Sequence, residues 1–192
     1  MAWAEKAFEE KMTPYIDRIY KGIFKNLYAI HRSDRETEQD TRILFMDREL
    51  AIDTFLYFND GTVLTFQEKT RRKKMLERFG ADFTFEYFND PRKSEQGEWF
   101  KLAAQLYFYG YANEGMTGYD CFWIIDIAKL RLFLKNNIGI ELLERKYLRQ
   151  NYPPAKANFF AIPFSEIGGD CILCKYNGNE GLVKYSRGRG AA

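Results

Sequence analysis

Apolar positions in the N-terminal segment recur at steps of mostly three and four: Trp3, Ala7, Phe8, Met12, Tyr15, Ile16, Ile19, Tyr20, Ile23, Phe24 and Leu27. That spacing puts them on one helical face and predicts a packing helix. Thr13-Pro14 also has the form of an N-cap followed by a first-turn proline, so the segment is either one kinked helix or two helices. Residues 31–40 are polar and rich in charge and read as a loop.

From residue 43 to 72 the pattern changes to short apolar or alternating runs, "ILFM", "LAIDTFLYF" and "TVLTFQEKT". The last two flank Asn59-Asp60-Gly61, a strong turn signal, and predict an antiparallel hairpin. "DFTFEYF" reads as a further strand, and the polar "NDPRKSEQG" after it as a loop. In "EWFKLAAQLYFYGY" the spacing of Trp99, Leu102, Ala103 and Leu106 favours a helix, with strand the alternative for its aromatic end. "CFWIIDI" is the compact apolar run expected of a buried strand, and "AKLRLFLKNN" has helical spacing. A short helix at 141–148, a strand at "NFFAIPF" with Pro163 at its edge or end, and a last strand at "DCILCKY" complete the order. Residues 177–192 read as a loosely held tail. No repeat or linker interrupts the chain, so 1–192 is one domain with its core within about residues 1–165.

Composition narrows the function. A 192-residue chain is long enough to bury roughly 70% of its unfolded surface. The 29 Lys and Arg nearly balance 27 Asp and Glu, so only local basic patches can serve a nucleic-acid partner. Aromatic residues at 17% supply packing area and flat faces on which bases can stack. Three cysteines and a charged, amphipathic N-terminus predict a cytoplasmic protein with no disulfide framework and no membrane association. Cys171 and Cys174 have metal-ligand spacing, but with Cys121 they make only three ligands and read as buried small residues. No Walker-A, dinucleotide-binding or Gly-x-Ser-x-Gly pattern is present, and there is one histidine. Carboxylate–metal and lysine chemistry remain.

The hairpin carries residues for that chemistry. Opposed residues in an antiparallel pair have numbers that sum to a constant set by the loop. A three-residue loop at 59–61 gives a sum of 120, placing Asp53 opposite Gln67 with Lys69 diagonal on the same face. Leu50, Ile52, Leu56, Phe58, Leu64 and Phe66 then share the other face. A two-residue loop gives 121 and puts Asp53 opposite Glu68 instead.

"AIDTFLYFNDGTVLTFQEKT" resembles the catalytic hairpin of the PD-(D/E)XK nuclease superfamily, in which an Asp on one strand faces an acid-x-Lys on the next. Asp53 matches the first metal-binding Asp, Gln67 stands in the place of the second acid, and Lys69 matches the catalytic Lys. Gln105 and Tyr109 match a Q-x-x-x-Y pattern of the RecB-like and lambda-exonuclease-like branches, where such residues hold DNA or the active-site loop. The resemblance implies an α/β protein of restriction-endonuclease-like fold, its central mixed β-sheet carrying the catalytic hairpin and flanked by helices. It implies a nuclease that uses Mg²⁺ or Mn²⁺ to hydrolyse phosphodiester bonds in DNA, the metal held by hard oxygens and Lys69 handling the water.

An amide oxygen at Gln67 brings no negative charge, so another acid must compensate. Glu86 is the first candidate; Glu38 and Asp40 are others, and Glu68 serves if the register shifts. RecB-like enzymes use a His upstream of the Asp as a ligand, which makes His31 a candidate. Arg71, Arg72, Lys73 and Lys74 follow Lys69 as a possible phosphate track, and Arg187 and Arg189 in the tail could act similarly. The alternative is a weak or inactive protein of the same fold, acting as a nucleic-acid-binding or protein-interaction module.

Overall fold

A computed structural model describes residues 2–33, 39–151 and 156–184, with side chains from residue 7 onward. The N-terminal segment forms one helix, α1 (Ala2–Ile23), that runs through Pro14. Pro14 lies on the exposed side, where water can satisfy the carbonyl the proline cannot bond. The chain then enters β1 (Leu27–Arg32), α2 (Thr41–Leu50), β2 (Thr54–Phe58), β3 (Val63–Arg71), α3 (Lys73–Phe79), β4 (Asp82–Asp90), β5 (Glu95–Gln96) and α4 (Glu98–Lys101). There follow β6 (Leu106–Ala112), β7 (Tyr119–Asp126), α5 (Ile127–Phe133), α6 (Ile140–Tyr147), β8 (Leu148–Gln150), β9 (Asn158–Pro163), β10 (Ile172–Asn177) and β11 (Gly181–Lys184).

Seven strands make a mixed central sheet in the order β1-β2-β3-β6-β7-β10-β11. Its neighbours are antiparallel except β3 and β6, which run parallel. A second, antiparallel sheet has the order β5-β4-β9-β8. One face of the central sheet is covered by α1, whose Phe8, Met12, Ile16 and Tyr20 pack on Leu56, Phe66, Phe108 and Ile124. The other face presents Tyr107, Tyr109, Tyr111 and Trp123 to Phe83, Phe85, Phe160 and Phe164, with Leu130 of α5 and Leu143 of α6 closing that layer. The result is α/β, a mixed central sheet flanked by helices, with a second sheet inserted on one side. Among the described residues no helix is long and apolar enough to cross a membrane.

Several elements differ from expectation. "ILFM" belongs to α2, where Ile43, Met46, Asp47 and Leu50 face inward at helical spacing. Residues Leu27–Arg32, of which Leu27 was expected on the helical face and His31 and Arg32 in a loop, form the edge strand β1. "LYFYGYA", the aromatic end of the favoured helix, takes the strand alternative: it is β6, parallel to β3 and buried at every position. A strand covered on both faces is apolar throughout and shows no alternation, so its sequence does not separate it from helix. The "DFTFEYF" and "NFFAIPF" runs pair with each other in the second sheet, and Pro163 does end its strand. Within the expected tail, β11 pairs with β10, while Arg187 and Arg189 lie outside the described residues.

Candidate active site

The hairpin register follows the three-residue loop. Thr54 pairs with Phe66 and Tyr57 with Val63, so opposed residues sum to 120 and Asp53, just before β2, stands opposite Gln67. Asp53 grips β3 on both sides of that residue: its N–H donates to the Phe66 carbonyl at 2.8 Å, and its Oδ2 accepts from the Glu68 N–H at 2.9 Å. Phe55, two residues on from Asp53, packs in the core with Tyr107 and Tyr109, which fixes the face that Asp53 shares. Leu56, Phe58, Leu64 and Phe66 lie on the opposite face as expected. Leu50 and Ile52 do not: α2 ends at Leu50 and Ala51 turns the chain in a left-handed conformation, φ 47°, so strand alternation starts only after them.

The parallel pairing of β3 with β6 sets Gln67 beside Tyr107, Lys69 beside Tyr109 and Arg71 beside Tyr111. Lys69 Nζ donates to the Thr84 carbonyl of β4 at 3.3 Å and to Glu98 Oε2 of α4 at 3.4 Å. The Tyr107 hydroxyl donates to Glu98 Oε1. Gln67 Oε1 is buried and has no hydrogen-bond partner among the described residues. An acceptor removed from water without a partner is costly, which marks this oxygen as the irregular feature of the site.

Burial pushes the Asp53 carboxyl well above the usual carboxylate range. The Glu68 N–H opposes that shift, and the charges of Glu68, Asp47 and Glu98 add to it. Neither Glu98, bonded to Tyr107 on the face that Asp53 shares, nor Asp47, buried on α2, is signalled by a local motif. Glu98 is separated from Lys69 by 29 residues, so only the folded arrangement reveals it.

The remaining candidates distribute as follows. Glu68 points to the α1 side, where Tyr20 donates to it at 3.0 Å and Arg32 binds both its oxygens at 3.2 and 3.1 Å. Arg32 also pairs with Asp17. Glu86 lies on β4 opposite Phe159 and is not among the acids acting on Asp53. Asp40 caps α2 by accepting from the Arg42 N–H at 2.9 Å, and its pairing with Arg42 holds its carboxyl down to about 2. Glu38 lies outside the described residues. His31, on β1, is exposed and pairs in register with Phe55, one strand out from Asp53 on the same face.

The basic run is split by the fold. Arg71 is drawn inward and donates to the Tyr109 hydroxyl at 3.3 Å and Thr84 Oγ1 at 2.8 Å. Arg72 lies over the Phe8 ring, its guanidinium carbon 4.1 Å from the centroid, and Lys73 pairs with Asp120 at 3.7 Å. Of the four, Lys74 alone is exposed. Gln105 and Tyr109 are not on one helical turn. Gln105 ties the start of β6 to β3, its Oε1 accepting from the Thr65 N–H at 3.0 Å while its own N–H donates to Thr65 Oγ1 at 3.0 Å. Tyr109 is fully buried, its hydroxyl shared with Arg71 and Thr84.

Among the described residues no three His, Cys, Asp or Glu side chains converge as a metal-ligand set. The three cysteines are buried and unpaired in disulfides. Compared with family models, curated proteins and solved structures, the chain matches none. Its function is therefore argued from its own geometry.

Proposed function

We propose that the face bearing Asp53, Gln67 and Lys69 is the active site of a divalent-metal-dependent nuclease acting on DNA in the cytoplasm. The observation that carries this reading is the juxtaposition of Asp53 with Gln67, whose buried Oε1 lacks a partner, beside Lys69 on one face of a hairpin. The donor chemistry suits Mg²⁺ or Mn²⁺. Mg²⁺ takes hard oxygens, commonly one or two carboxylates completed by waters and substrate phosphate, so an all-protein cage of acids is not required. Asp53 and the Gln67 amide oxygen are the ligands on this reading. A bound ion there lowers the pKa of an attacking water and stabilises charge on the scissile phosphate.

The protein's own groups have separate tasks. Asp53 is held by the Glu68 N–H, which leaves its second oxygen to the ion. Lys69 has three N–H donors, of which two are given to Thr84 and Glu98, and the third is available to a phosphate oxygen or to water. Arg71 supports this layer through Tyr109 and Thr84, and the exposed Lys74 supplies backbone contact with DNA.

The test is cleavage of single- and double-stranded DNA with Mg²⁺ or Mn²⁺ by wild type, Asp53→Ala and Lys69→Ala. Divalent-dependent cleavage that falls by about 10²-fold or more in each variant is expected. No such cleavage, or cleavage indifferent to both changes, contradicts the proposal. One observation favours a second reading: Lys69 and Glu98 already satisfy each other. A nucleic-acid-binding module without catalysis follows from it, and shows as salt-dependent binding of DNA that is never cut.

A further inference from the structure

Gln67 leaves the site one negative charge short, and the fold brings a carboxylate from a distant part of the chain to two neighbours of Gln67, Tyr107 and Lys69. The first turn of α4 starts at Glu98, directly after Gly97, whose N–H donates to the Tyr87 carbonyl at 2.9 Å. A Cβ at position 97 would lie 2.6 Å from the Glu86 carbonyl oxygen, so only glycine lets α4 seat this closely on β4. The seat aims Glu98 at the sheet. Tyr107, which holds Glu98 Oε1, is the register neighbour of Gln67, and Lys69, which holds Oε2, is the next same-face residue along β3. Glu98 is therefore tied to both the strand neighbour and the next same-face residue of Gln67, with 15% of its side chain exposed.

Resting on the metal-site reading above, we infer that Glu98, not residue 67, supplies the second carboxylate to a divalent cation held with Asp53 and the Gln67 amide oxygen. The two Glu98 oxygens are unequal. Oε1 is fixed by the buried Tyr107 hydroxyl, whereas Oε2 meets Lys69 only at 3.4 Å, longer than a charge-assisted hydrogen bond of full strength. Oε2 is the exchangeable oxygen. When it turns to the cation, the Lys69 ammonium loses its carboxylate partner and becomes free for the phosphate. Cation entry and Lys69 release are then one event, and the Lys69–Glu98 pair is the resting form of the site. Tyr107 is a positioning residue, since it acts only by holding Glu98.

The experiment is equilibrium binding of Mn²⁺ to the full chain without nucleic acid, read from the free-Mn²⁺ electron paramagnetic resonance signal. Wild type, Asp53→Asn, Glu98→Gln and the double variant Gln67→Glu/Glu98→Gln are compared, each checked by thermal melting. Glu98→Gln keeps an acceptor for Tyr107 and removes the charge; it is expected to weaken Mn²⁺ binding about 10-fold or more. Restoring a carboxylate at 67 in the double variant is expected to recover most of that loss. Should Glu98→Gln fail to fold, Glu98→Asp carries the same expectation, because it withdraws the carboxylate by one methylene. Glu98 variants that bind as wild type while Asp53→Asn does not overturn this inference and leave the metal site standing. Wild type that binds no Mn²⁺ overturns both, and wild type that binds Mn²⁺ through Glu98 but cuts no DNA removes only the nuclease.

Discussion

The Glu68 N–H holds the Asp53 carboxylate on one side of β3, while the Glu68 carboxylate is clasped by Arg32 on the other. One residue thus couples the candidate site to the α1 layer through its main chain and side chain. Its side chain is only 11% exposed, and its carboxylate takes its hydrogen bonds from Arg32 and the Tyr20 hydroxyl. Replacing Arg32 by Ala leaves that carboxylate with Tyr20 alone and is expected to cost about 2–3 kcal/mol of stability. Urea denaturation checks it, and a cost near zero contradicts the coupling.

Asp53 links stability to pH. Its carboxyl is raised above the usual 3.8 chiefly by burial, so the unfolded chain releases the proton at lower pH than the folded one. The associated stability is complete below the unfolded value and is lost as pH rises through the folded one. Asp53→Asn, which cannot ionise, is expected to raise the denaturation midpoint of the metal-free protein at pH 7 and to abolish that decline. A variant less stable than wild type at pH 7 counts against it.

The cysteines give a second pH window. Burial pushes Cys121 and Cys174 up to about 12 from an ordinary 9.0, and Cys171 upward as well. Neutral thiols are poor nucleophiles, so the folded protein is expected to react slowly with a thiol reagent at pH 8 and to release three equivalents once denatured. By the same shifts the thiols' contribution to stability is complete below pH 9 and is lost as pH rises from 9 through about 12. Rapid labelling of the native state at pH 8 contradicts the burial.

Gln105 joins β3 to β6 and lies away from Lys69's partners. Gln105→Ala is expected to lower stability by about 1 kcal/mol and to leave DNA affinity unchanged. A loss of DNA binding without a loss of stability restores the role that the Q-x-x-x-Y resemblance implies.

Much of the hairpin was legible because turn chemistry is local. Asn59-Asp60-Gly61 fixes the loop length, and with it the meeting of Asp53 and Gln67. Where burial is two-sided the signal fails: Leu106–Ala112 is apolar at nearly every position and reads as readily as helix. The short helix α2 was hidden because its "ILFM" run resembles a strand while the buried Asp47 breaks the apolar face. Glu98 was invisible for a different reason. It reaches the site through the second sheet, which seats α4 at Gly97, and no local spacing encodes that approach. The basic run shows the converse: its four adjacent cations form one continuous stretch of sequence, but once folded Arg71, Arg72 and Lys73 turn to separate partners and Lys74 to solvent.

The most direct measurement is the anomalous difference map of crystals grown with Mn²⁺. A single strong peak is expected about 2.0–2.3 Å from a carboxylate oxygen of Asp53 and from Gln67 Oε1. A map with no peak between Asp53 and Gln67 at saturating Mn²⁺, or with its strongest peak elsewhere on the protein, contradicts it.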